Sequence, residues 1–218
     1  EIELARIGSQ HHVLAIPADL SVARDIRRVV RDTFNRFGHI GILVTHVRYG
    51  PTGKPSEFTD ETVMASLEES FLSALRLTRE VVPYMKQQRW GRIIHLLPTR
   101  VNNPAEGAAL SAASQMALVG YSKMLASELA PFNITVNNLL SGPVQTEFLT
   151  AALETRAEEQ GRTLDDLTKD IVADIPMRRM GKPEEVGDLV AFLASDRSGY
   201  LTGTSVMLDG GAHQTAAP

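Results

Sequence analysis

Short apolar runs alternate along this chain with longer stretches whose apolar positions recur at helical spacing. Val13–Ile16, Ile42–Thr45, Arg92–Leu97, Ile134–Leu140 and Ser205–Leu208 are short and dominated by Ile, Val and Leu, as strands covered on both faces are. Between them, Val22–Phe37 is amphipathic, with Ser21 placed to cap it and Gly38 to close it. A long helix is predicted from Thr59 or Asp60 to Gln88, after a loop, Tyr49–Pro55, rich in Gly and Pro. The Ala/Ser-rich run Ala108–Leu129 has high helix propensity and small side chains all round, as a tightly packed helix needs, and Asn133 ends it. Thr150–Asp174 reads as a charged helical pair broken near Gly161, and Pro183 opens a helix over Glu184–Ala194. Glu1–Gly8 reads as the last two turns of a helix closed by Gly8. Strands alternating with helices, with no hairpin signals, predict a doubly wound parallel α/β sheet in one domain spanning 1–218.

Composition narrows the partners. The 218 residues are 43% hydrophobic, enough for one substantial core, and carry a net charge of −4. With a pI near 5.9 and no basic cluster, neither a nucleic-acid nor an anionic-membrane surface is expected. No apolar run approaches the roughly 20 residues that cross a bilayer. The absence of cysteine excludes a disulfide framework and thiolate chemistry, and fits a reducing, cytoplasmic location.

The stretch Gly91–Leu129 carries the functional argument. It reads G-R-I-I-H-L-L-P, a polar loop, then A-A-L-S-A-A-S-Q-M-A-L. In order along the chain stand Ala18-Asp19-Leu20-Ser21, Ser141-Gly142-Pro143-Val144-Gln145-Thr146, Arg179-Met180-Gly181-Lys182-Pro183-Glu184-Glu185-Val186, and Leu201-Thr202-Gly203 through Asp209-Gly210-Gly211. Together these motifs resemble the short-chain dehydrogenase/reductase family, in its 3-oxoacyl-acyl-carrier-protein-reductase-like branch. The resemblance implies a Rossmann-like fold and a nicotinamide cofactor, NAD or NADP, near Asp19, Leu20, Gly142, Val144 and Thr146. It also implies that the family's first βαβ portion, with its glycine-rich phosphate turn, is missing from this chain. About 40 to 50 residues, roughly one and a half such units, are therefore expected before Glu1. Without them, the strands at Val13–Ile16 and Ile42–Thr45 should each expose an apolar edge.

Carried across position by position, the family's catalytic tetrad falls on Ser70 (for Asn), Pro98 (for Ser), Ser111 (for Tyr) and Gln115 (for Lys). Pro98 and Ser111 keep the family's separation of 13 residues, so the frame is sound. The chemistry is not. A phenol made acidic by a nearby ammonium exchanges protons near neutrality; the Ser111 alcohol does not, and Gln115 has no charge to tune it or to hold the ribose. Pro98 has neither a hydroxyl nor an N–H. Residues four beyond Tyr49, Tyr84, Tyr121 and Tyr200 are Gly53, Gln88, Leu125 and Thr204, so no second Y-x-x-x-K exists. Thr99 could substitute only for the missing serine. The family's N-N-A-G falls on Thr45-His46-Val47-Arg48, where Val47 and Arg48 are expected to crowd the nucleotide and weaken or abolish cofactor binding.

Other residues leave alternatives open. His46 and His95 end or nearly end neighbouring strands, and are either an acid–base or metal-ligand pair or ordinary packed side chains. His11-His12 is a solvated strand entry or a ligand pair, with no metal site expected. Asp19 faces a nucleotide or caps the following helix. The acidic run Glu154–Asp174 matches the family's substrate lid.

Two functions follow from the resemblance. One is a catalytically inactive member, a structural or regulatory subunit in a homo- or hetero-oligomer, dimer or tetramer, with an active paralogue. The other is an NAD(P)-dependent oxidoreductase acting on a carbonyl or alcohol with atypical catalytic groups. The loss of all four tetrad residues favours the first.

Overall fold

The computed structural model describes residues 12–47, 50–101, 104 and 106–213. Its centre is a parallel sheet of β1 (Ile42–His46), β2 (Gly91–Pro98), β3 (Ile134–Ser141) and β4 (Ser205–Leu208), lying side by side in chain order. The helices are α1 (Ala23–Phe37), α2 (Asp60–Leu67), α3 (Ser73–Gln88), α4 (Ala109–Leu129), α5 (Glu147–Gln160), α6 (Leu164–Ala173) and α7 (Pro183–Ala194). This is the parallel α/β arrangement that the periodicity predicts, and the Rossmann-like fold that the resemblance implies.

Both faces of the sheet are covered, which is why its strands read as continuous apolar runs. On one face Ile26 and Val30 of α1, Val81 and Met85 of α3, and Leu125 and Leu129 of α4 pack with Ile93, Ile134 and Val136. Toward the carboxyl end of that face, Val47, Ala74, Leu97, Leu118 and Leu140 continue the core. On the other face Leu193, with Val186 and Val190 beside it, packs α7 onto Ile94 and Leu139. Helices α5 and α6 share a separate cluster of Leu153, Ala157 and Leu167.

Several expectations are corrected. Val13–Ile16 is not a strand: a strand exists through its ladder, and among the described residues none pairs with it. Among the described residues β1 pairs with β2 alone, and Ile42 and Val44 are 47% and 42% exposed, the apolar edge the sequence predicts. The cap of α1 is not Ser21; Val22 occupies that position without a side-chain bond. Asp19 organises the turn instead, its Oδ1 accepting from Ser21 N (2.9 Å) and Oγ (2.7 Å), while Asp25 accepts from Asp19 N (3.0 Å). The single long helix is interrupted by a π-helical turn at Glu68–Leu72. The charged pair begins earlier than expected, at Glu147, because Thr146 caps α5 by accepting from Leu149 N. Glu1–Gly8, His11, Arg48 and Tyr49 lie outside the described residues.

His46 and His95 do not meet. In the β1–β2 register Thr45 stands opposite His95 and His46 opposite Leu96, so the two imidazoles project to opposite faces. His95 is buried with its Nδ1 2.7 Å from Thr45 Oγ1, whereas His46 is exposed. Among the described residues no group of three or more His, Cys, Asp or Glu could hold a metal. Among the same residues no helix is long and apolar enough to cross a membrane.

Two buried groups generate predictions. Arg92 is 1% exposed; its guanidinium donates to the Gly91, Asn133 and Ser195 carbonyls and to Asp196, and stacks 4.5 Å over the Trp90 ring. It thereby ties the start of β2 to the end of α4 and to the turn after α7. Arg92→Ala leaves buried carbonyls unpaired and a cavity, and should cost about 3 kcal/mol in urea unfolding. Asp196, the exposed partner, should cost under about 1 kcal/mol when changed to Ala.

His95 gives a pH dependence. Burial pushes its imidazole down to about 4 from the ordinary 6.5, and no charged side chain contributes to the shift. Between those values the unfolded chain binds a proton that the folded chain does not. Stability is therefore full above about 6.5 and falls as the pH drops toward 4, by on the order of 3 kcal/mol in all. Urea midpoints from pH 7.5 to 4 should fall further for the wild type than for His95→Asn, in which this contribution is absent.

Candidate functional site

The tetrad positions gather at the carboxyl end of the sheet, where open α/β sheets place their ligands. Pro98 is the last residue of β2, opposite Ser141. Ser111 and Gln115 lie in the first two turns of α4, and Ser70 sits in the π-helical turn packed against that helix. π-Turns leave backbone carbonyls without their usual partners and recur at functional sites. Here serines satisfy them: Ser70 Oγ donates to Ser66 O (2.6 Å) and Ser73 Oγ to Glu69 O (2.8 Å). Ser70 is thus committed to its own helix.

Ser111, at the tyrosine position, is buried, and its Oγ accepts from Gly50 N at 2.8 Å. Gly50 passes so close that a Cβ there would lie 2.7 Å from Ser66 Oγ and 3.5 Å from Ser111 Oγ, so a larger residue would require at least the Ser66 hydroxyl to turn away. A second backbone bond, Gly53 N to Gly107 O (3.0 Å), holds the same loop against the entry to α4. Gln115 is 1% exposed and its Nε2 has no partner. The hydrogen bonds of Ser111 go to Gly50, not to Thr99, which lies in the 3₁₀ turn Thr99–Val101.

The three downstream motifs converge on one clasp. Gly142 begins the loop after β3 where a Cβ would stand 2.9 Å from Asp209 Cα. Val144 pairs with Gly181, flanked by Gln145 N to Gly181 O (2.9 Å) and Gly181 N to Pro143 O (3.0 Å). Arg179 grips Glu185 through two 2.7 Å bonds, and Glu185 also accepts from Lys182 N at the start of α7. The Arg179 guanidinium, followed by that backbone N–H, holds the Glu185 carboxyl down to about 2. Asp209 closes the far side by accepting from Gly211 N and His213 N, and Gly210 O accepts from Met177 N. The enclosed cavity, lined by Pro143, Met177, Arg179, Asp209 and others, holds about 60 Å³, far below the roughly 300 Å³ at which ligand pockets begin.

A nicotinamide cofactor, implied by the fold, can be tested against these residues. Val144 and Thr146 are engaged in the clasp and the α5 cap. Asp19 makes its turn, with half-exposed Leu20 next to it. Ser111 is tied to Gly50, and Gln115 supplies an amide where a cation would hold the ribose. These side chains do not fit the cofactor's nicotinamide end as the family's tetrad does. Val47 is 2% exposed and packs inward in one cluster with Leu97 and Leu118, while Arg48, expected to crowd the nucleotide with it, lies outside the described residues. Sequence reasoning missed Ser66 and the closeness of Gly50. The spacing of Ser66, Ser70 and Ser73 was the available signal.

Comparison with known proteins agrees with the fold and the motifs. The family model described as enoyl-(acyl carrier protein) reductase matches residues 2–213. The chain is similar to dehydrogenase/reductase SDR family member 4 of Oryctolagus cuniculus, 35% identical over 87% of this chain and 70% of that one. It is 30% identical to the acetoacetyl-CoA reductase of Allochromatium vinosum over 97% and 81% of the two chains. Among solved structures, the L-sorbose reductase of Gluconobacter frateurii, complexed with NADPH and L-sorbose, superposes with a TM-score of 0.88 at 27% identity, over 93% and 78% of the two chains. With the motifs, the parallel sheet and these matches in agreement, the chain belongs to the short-chain dehydrogenase/reductase family of oxidoreductases.

Proposed function

We propose that this chain performs no hydride transfer of its own and works as a non-catalytic subunit of an oligomer, with an active paralogue as its partner. The observation that carries this reading is Ser111. The hydroxyl at the tyrosine position is buried, bonded to the Gly50 backbone, and one turn from a neutral Gln115 rather than an ammonium. Nothing there lowers an alcohol's pKa into the range where it exchanges protons at neutral pH. Restoring a tyrosine would require moving the loop through Gly50 as well.

The outer face of α4 supports the assembly half of the proposal. Ala113, Met116, Gly120 and Met124 follow one another along it; Met116 and Met124 are 43% and 71% exposed, and Gly120 faces open space. Small residues allow a second helix to approach closely, and a symmetric partner presents the same stripe to itself. Such permanent interfaces typically exceed about 2,000 Å². The partner would bring its own tetrad, and this chain would contribute packing.

Two outcomes are expected. Purified protein encoded by the full reading frame should not turn over carbonyl or alcohol substrates with NAD(H) or NADP(H), and calorimetry should show cofactor affinity weaker than micromolar. Turnover within tenfold of the typical median of about 10 s⁻¹ would overturn the proposal. Mass photometry of native material should show a dimer or tetramer, containing a second, catalytic chain. Ala113→Trp or Ala117→Trp should split it by overpacking. A stable monomer at micromolar concentration would remove the assigned role.

A further inference from the structure

The register of the sheet places four polar residues in one row across it. Thr45 stands opposite His95, His95 opposite Asn138, and Asn138 opposite Ser205. Thr45, His95 and Asn138 are 6%, 0% and 3% exposed, so the row runs through the interior. Its two ends are satisfied: Thr45 Oγ1 lies 2.7 Å from His95 Nδ1, and Asn138 Nδ2 donates to Ser205 Oγ at 3.3 Å. Its middle is not. Among the described residues His95 Nε2 and Asn138 Oδ1 are both buried without a partner.

A third such group joins them. Thr78 on α3 is 0% exposed and its Oγ1 is also without a partner. On the same face, Ala74 packs into the cluster containing Leu97, and Val81 into the cluster containing Ile93. Thr78 lies between Ala74 and Val81 on the helix as His95 lies between Leu97 and Ile93 on the strand, which brings Thr78 to the level of the row.

The chemistry of the three groups selects what binds them. Taking the Thr45 hydroxyl as the donor to Nδ1, a role the 2.7 Å contact allows alongside the reverse, the neutral imidazole carries its proton on Nε2 and offers a donor. Asn138 Oδ1 offers only an acceptor, and Thr78 offers either. A cation would be repelled by the N–H, and an anion would find no positive charge and would face the amide oxygen. A small neutral molecule that donates and accepts fits all three, and neighbouring strands about 4.8 Å apart leave side-chain atoms across them within one molecule's reach. We propose that a single water molecule is bound inside the sheet layer, accepting from His95 Nε2–H, donating to Asn138 Oδ1 and contacting the Thr78 hydroxyl. This site is separate from the tetrad positions and does not depend on the function proposed above.

The test is nuclear magnetic resonance on the isotopically labelled full chain. The expected result is one His95 tautomer, protonated on Nε2, whose ring proton shows a cross-relaxation peak to a long-lived water. That peak should vanish in Asn138→Leu, which removes the acceptor at similar volume. It should persist in Thr78→Val, which excludes the threonine hydroxyl proton as its source. A proton on Nδ1, a through-bond coupling across a direct Nε2–H to Oδ1 bond, a peak unchanged in Asn138→Leu, or one lost in Thr78→Val would each overturn the proposal. The wild-type measurement decides the matter even if Asn138→Leu does not fold.

Discussion

The eight-residue parallel ladder between β2 and β3 is the constraint on which the rest of this molecule depends. It fixes Gly91 opposite Ile134 at one end and Pro98 opposite Ser141 at the other. The packing of α1, α3, α4 and α7 on the sheet then follows from which side of that ladder a residue faces. A one-residue slip would drive Ile93 and Leu97 away from α3 and α4 and turn Arg92 into their place. Arg92 resists such a slip: its guanidinium reaches the Asn133 carbonyl just before β3 and the Ser195 carbonyl just after α7, two points that it meets together in the observed register. The charge has a structural use here, since its donors are spent on backbone carbonyls that burial would otherwise leave unpaired.

Much of this was legible in the sequence, and for identifiable reasons. The four observed strands read as apolar runs because both faces of the sheet are covered, and the start of α7 follows from Pro183. What was not legible depended on partners remote in the chain. Val13–Ile16 has the composition of a strand, but a ladder needs a neighbour, which composition cannot supply. The π-turn at Glu68–Leu72 conforms to ordinary helical spacing in the sequence, and only the back-bonding of Ser70 and Ser73 shows where its carbonyls go. His46 and His95 looked like a pair because their strands are neighbours, but register decides faces, and it joined His95 to Thr45 instead.

At the candidate site the identities were readable and the geometry was not. Ser70, Pro98, Ser111 and Gln115 could be placed by motif alignment, and the alignment said that the acid–base groups were gone. It could not say that Gly50 would lie against Ser111 and Ser66, nor that Val47 would turn into the core. Both follow from three-dimensional closeness of segments some 60 residues apart, for which a single sequence holds no direct signal.

The contrast between the two ends of the site bears on its history of constraint. The clasp of Gly142, Val144, Gly181, Arg179, Glu185 and Asp209 is held by backbone pairing and by the Arg179–Glu185 ion pair, although it encloses only about 60 Å³. A loop kept only for contacting a ligand would have no need of such bonds. A loop that fastens β3, α7 and the end of β4 to one another has a reason that does not involve chemistry. The Arg179–Glu185 pair sits at the start of α7, whose Leu193 carries the far face of the sheet, so loosening the clasp would loosen that layer. The motifs that identify the family are therefore explained here by what they hold together. The tetrad, whose side chains hold nothing beyond their own turns and one loop, is the part that could change without the fold following.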